Sequence, residues 1–162
     1  MTSKSDFTPE EWKVLLESVM MAGIAVTAAD PSGLWGTLKE SFSSAHSMVS
    51  GRGGSSELVK AVAAEFETSE GRTIAREGLS AKLKGLKAQE ISAKAVESLR
   101  QTASVVDSKA PQDAPAFKAW LLDISKNVAD ASTEGGFLGF GGVKVSDAEK
   151  ATLADIQSAL KI

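Results

Sequence analysis

Cysteine is absent from this 162-residue chain, and histidine occurs once, at His46. The first absence excludes a disulfide framework, a thiolate nucleophile and a cysteine-ligated zinc site. The second leaves His46 without a cysteine, a second histidine or a serine-elbow motif with which to build a nucleophile–base pair. Basic residues are not in excess either. A formal charge of −3 argues against a dedicated nucleic-acid binder, and Lys82, Lys84 and Lys87 lack the interleaved aromatics of a base-stacking surface. The first six residues contain no apolar signal segment, so the expected location is the cytoplasm. No stretch alternates apolar and polar residues with period two. These absences leave a non-enzymatic, all-α protein as the expectation.

The stretch around which the chain is organised runs from Phe7 to Gly33. Thr8, Pro9 and Glu11 form a helix start, with a Thr-x-x-Glu capping box and proline at the first helical position. Phe7 and Trp12 occupy the two positions of a hydrophobic staple. Between Glu17 and Asp30 there is no charge, and Ala22, Gly23, Ala25, Ala28 and Ala29 are small. A helix apolar nearly all round is a central one, and small residues let neighbours approach it closely. The charge-free run falls short of the roughly 18 residues of a membrane span. Asp30-Pro31-Ser32-Gly33 then ends the helix.

Helical spacing recurs along the rest of the chain. A second helix is predicted over 34–48, with Leu34, Trp35, Leu38, Phe42 and Ala45 on one face, followed by a Gly/Ser-rich loop to Ser56. Ser56 caps a third, carrying Leu58, Val59, Val62 and Phe66. Gly71 separates it from a fourth with Ile74, Leu79, Leu83 and Leu86, weakened by Gly78 and Gly85 at about 1 kcal/mol each relative to alanine. A fifth, from Ala88 to about Asp107, has Ile91, Ala95, Leu99, Ala103 and Val106 on one side and a Glu90–Lys94 pair at i,i+4. Asp113 caps a sixth with Phe117, Leu121, Ile124 and Val128, and Ser146 with Glu149 boxes a seventh with Leu153, Ile156 and Leu160. The expected architecture is one domain, 1–162, an all-α bundle of about seven helices.

Charge is uneven. From Arg72 to Arg100 there are seven Lys or Arg against three Glu, which leaves −7 for the rest of the chain. A basic middle with acidic flanks can steer a charged partner, although charge runs are commonly just solvated helix faces.

The two ends look alike. A helix with Trp12, Leu15 and Leu16 leads to Ala28-Ala29-Asp30-Pro31-Ser32-Gly33 and a helix holding Glu40. A helix with Trp120, Leu121 and Leu122 leads to Asp130-Ala131-Ser132-Thr133-Glu134-Gly135 and then Val145-Ser146-Asp147-Ala148-Glu149. This pattern resembles the TerB-like tellurite-resistance family, whose two helix pairs each carry an Ala-Asp-Gly turn and a Val-Ser-x-x-Glu helix start. Ala29, Asp30 and Glu40 match in the first half, and Val145, Ser146 and Glu149 in the second. Pro31 and Ser32 depart from the turn, Ser132 stands where the second turn would carry Asp, and a glycine-rich insertion splits that turn from its helix. The resemblance implies a bacterial stress-response protein that works through protein partners and a divalent cation, Ca²⁺ or Mg²⁺. The candidate ligands are Asp30, Glu40, Glu149 and Asp130, through hard oxygen coordination. Capping and the helix dipole account for such acids equally well.

The insertion from Gly135 to Gly142 lacks the Gly-Lys-Ser/Thr of a phosphate loop. Its Phe137, Leu138 and Phe140 either fold onto the core or form an apolar contact for a protein partner or a membrane surface. A small-ligand pocket along the small residues of the first helix is a further alternative.

Overall fold

The computed structural model describes residues 2–29, 56–134 and 145–162, with side chains described up to residue 130 and again from 145. A short 3₁₀ turn, Lys4–Asp6, precedes six α-helices: α1 (Pro9–Ala29), α2 (Glu57–Glu67), α3 (Ser69–Leu83), α4 (Ala88–Lys109), α5 (Ala114–Glu134) and α6 (Asp147–Leu160). The described residues contain no strand. These six correspond to six of the seven expected helices. The one predicted over 34–48 lies outside the described residues, so the proposed likeness of the two end pairs has only its C-terminal member in view.

Local signals start the helices where the sequence placed them. The Thr8 N–H donates to Glu11 Oε2 at 2.8 Å and the Glu11 N–H to Thr8 Oγ1 at 3.2 Å, closing the box at the start of α1. The Phe7 and Trp12 rings of the staple lie 5.7 Å apart. Ser56 caps α2 through the Val59 N–H, and Ser146 with Glu149 boxes α6. Glu90 behaves differently from expectation. Its carboxylate turns back to the Lys87 N–H at 2.8 Å and caps α4 instead of pairing with Lys94, because an unsatisfied N–H at a helix start is a stronger lure than a solvated cation.

The break between α2 and α3 falls at Thr68, not at Gly71. Gly71 sits in the first turn of α3, where a β-carbon would lie 2.8 Å from the Glu65 carbonyl carbon. Glycine is needed there for close approach, not for chain reversal.

Around α1 the other helices form a sleeve, α4 most extensively, then α5 and α3. Leu15, Leu16, Met21, Ala22, Ala25 and Val26 are fully buried, joined by Leu99, Phe117, Leu121 and Ile156 from the sleeve. The small residues of α1 admit neighbours as expected. Ser125 of α5 donates to the Ala22 carbonyl at 2.8 Å and Ser92 of α4 to the Ala25 carbonyl at 2.9 Å. The space that a ligand pocket along α1 would use at these positions is thus taken by protein. The whole of α1, at 21 residues, is longer than its charge-free run. Among the described residues it alone is long and apolar enough to cross a membrane, but most of that apolar stretch is buried inside the bundle.

Candidate functional site

Among the residues that the sequence singled out, Glu149 and Asp130 are described. Glu149 is buried in the first turn of α6, where one carboxylate oxygen accepts the Ser146 N–H at 2.8 Å. Asp130 is exposed near the end of α5. Asp30 and Glu40, and the Phe137, Leu138 and Phe140 loop, lie outside the described residues. So does His46. Among the described residues, no three His, Asp or Glu side chains gather as a metal site would require.

A different acid dominates the interior. Glu17, in the middle of α1, is 1% exposed at its side chain. Apolar neighbours along α1 give no hint of its pairing, which comes from α3. Lys82, 29% exposed, bonds Glu17 Oε2, and Lys13 one turn earlier on α1 holds its Nζ 4.0 Å from Oε1. Oε1 accepts no hydrogen bond. It points at Gly78 of α3, where a β-carbon would lie 2.6 Å from the carboxylate carbon and 2.7 Å from Lys13 Cε. Gly78 therefore makes the notch into which a buried carboxylate fits. The sequence signal was available in two halves, a lone charge in an apolar helix and a glycine inside a predicted helix, but nothing local links them.

A second carboxylate joins three parts of the chain. Asp113, just before α5, stands where a cap for that helix was expected, yet its carboxylate accepts from Thr2 Oγ1, from Ser56 Oγ at 2.8 Å, and from the backbone N–H groups of Glu57 and Leu58. Partial burial pushes this carboxyl up, but the hydrogen bonds from Thr2, Ser56, Leu58 and Glu57 together outweigh it and hold it below the ordinary aspartate range. A carboxylate whose folded pKa is depressed stabilises the fold above its unfolded pKa, and that contribution is lost as pH falls through the folded value. Urea midpoints measured from pH 5 downward should therefore drop below about pH 4. Asp113→Asn, weaker at pH 7, should show a shallower drop over the same window.

Among the described residues, an open groove of about 440 Å³ lies between α4 and α6. Gln89, Ser92, Val96 and Arg100 follow one face of α4, with Glu97 beside them, and Asp155 and Ser158 form the opposite wall on α6. Arg100 pairs with Glu97. The groove is polar, of mixed charge, and suited to hydrogen-bonding a polar chain or small polar ligand. Its α4 wall, Gln89 to Arg100, is the C-terminal part of the basic middle of the sequence. Of its seven cations, Arg76, Lys84, Lys87 and Lys94 are exposed and have no ion-pair partner among the described residues.

No known family pattern, curated protein or solved structure is significantly similar to this chain.

Proposed function

We propose that the chain is a non-enzymatic partner-binding protein of the bacterial stress type, of the kind its resemblance to the TerB-like tellurite-resistance family implies. The observation that carries the binding part is the mixed-charge groove between α4 and α6. Arg100, the cation that lines the groove, favours a partner segment that brings an acidic group to it. In the same reading, a divalent cation is held by Asp30, Glu40, Asp130 and Glu149. Cytoplasmic residence belongs with this proposal.

The test is growth of a tellurite-sensitive bacterial host. Expression of the chain should raise survival on tellurite, and Arg100→Ala with Asp155→Ala, both exposed, should remove that gain without loss of folding. No gain from the wild-type chain would end the stress reading. Calorimetric titration with Ca²⁺ and Mg²⁺ addresses the cation separately: binding should appear and Asp30→Ala should abolish it, whereas a flat trace removes the metal from the proposal.

A further inference from the structure

The helix α3 is held differently from its neighbours. Its buried positions are Gly71, Ala75, Gly78 and Leu79, so one large apolar side chain is buried, with Ile74 and Leu83 partly so. By contrast α4 buries Ile91, Leu99 and Val106, and α5 buries Phe117, Trp120, Leu121, Leu122 and Ile124. Hydrophobic stabilisation follows apolar area removed from water, and glycines add none. An interior glycine, Gly78, also disfavours the helix itself. Against this, α3 has one strong tie to α1, the ion pair of Lys82 with the buried Glu17 under Gly78. It packs along α1 and against α2 but touches α4 only slightly, and Gly85, at φ +79 with open space around it, follows its C-terminal end.

We infer that α3 is a displaceable strap, latched to α1 by the Glu17–Lys82 pair, which swings off the bundle while α1, α4, α5 and α6 stay packed. Elements with few buried apolar side chains open by local routes of smaller free energy than global unfolding. When the strap lifts, Glu17 regains water and Lys82 loses nothing it cannot recover from solvent, so the open form carries no stranded charge. Its opening uncovers an α1 stripe centred on Glu17, a surface otherwise hidden in the bundle.

Native-state hydrogen exchange of the full chain across a urea series tests this. In the wild type, the slow amides of α3 should exchange at least tenfold faster than those of α1 and α4, with a weaker dependence on urea. Lys82→Met strands Glu17 in the closed form only, so its α3 amides should approach unprotected rates while α4 and α5 stay protected. Wild-type α3 amides that fall on the same urea isotherm as those of α4 would overturn the inference, as would a Lys82→Met protein in which α3 remains as protected as α4.

Discussion

Replacing Lys82 with methionine should lower unfolding free energy by about 3 kcal/mol, measured by urea denaturation at neutral pH, although a surface-accessible lysine is exchanged for a side chain of similar length. The reason lies with its partner. Glu17 is 1% exposed, and removing one member of a buried pair leaves the other as an uncompensated charge, at about 3–5 kcal/mol. The low end applies for two reasons. Lys13 remains 4.0 Å away, and detachment of α3 offers Glu17 a route to water, which caps the loss. Changing the other partner should be milder. Glu17→Gln keeps the shape, and Lys82, already 29% exposed, can turn its ammonium to solvent, so the expected loss is about 1 kcal/mol, comparable with one net hydrogen bond. An ordinary surface ion pair would give losses under about 1 kcal/mol in both directions. The asymmetry between the two variants is what marks the carboxylate as the buried member.

The second large effect is a gain of one methyl group. Gly78→Ala should lower stability by about 2 kcal/mol. Alanine is the better helix former by about 1 kcal/mol, so local propensity alone predicts the opposite sign. Overpacking reverses it, because the new β-carbon would sit 2.6 Å from the Glu17 carboxylate carbon, and forced repacking of a filled site costs about 1–3 kcal/mol. Glu17 cannot move aside while α3 is closed on it. Glu17 is enclosed by α1 and α3, and its other oxygen is bonded to Lys82. Lys13, by contrast, is exposed and can shift its terminal carbons without strain.

These two effects also show which parts of the molecule could be read from the chain and which could not. Helix starts are written within four residues, so Thr8 with Glu11, Ser56, and Ser146 with Glu149 were legible. So was the central helix, since a charge-free run of small and apolar residues has few other places to go. The Glu17–Gly78–Lys82 contact was not legible. It joins residues more than sixty positions apart, and it depends on the rotation of α3 about its own axis. Read locally, Gly78 is a flaw in a helix; read in the bundle, it is the space for a carboxylate. Asp113 shows the same limit, for its position before α5 announces a cap while its carboxylate reaches Thr2 and the start of α2. The groove between α4 and α6 likewise exists only once two surface faces meet, and residues such as Arg100 and Asp155 carry no signal of it in their own segments. Glu149 was singled out as a ligand by resemblance, and its local box with Ser146 was equally visible in the sequence.

The most direct measurement is a double-mutant cycle on Glu17→Ala and Gly78→Ala, with all four proteins unfolded in urea under one set of conditions. If the buried carboxylate occupies the notch that glycine leaves, Gly78→Ala loses about 2 kcal/mol in the wild-type background. In the Glu17→Ala background it should be neutral or stabilising by up to about 1 kcal/mol, since the clash is gone and only helix propensity remains. An equal loss in both backgrounds would contradict the account, for it would mean that Gly78 is required for some reason other than Glu17.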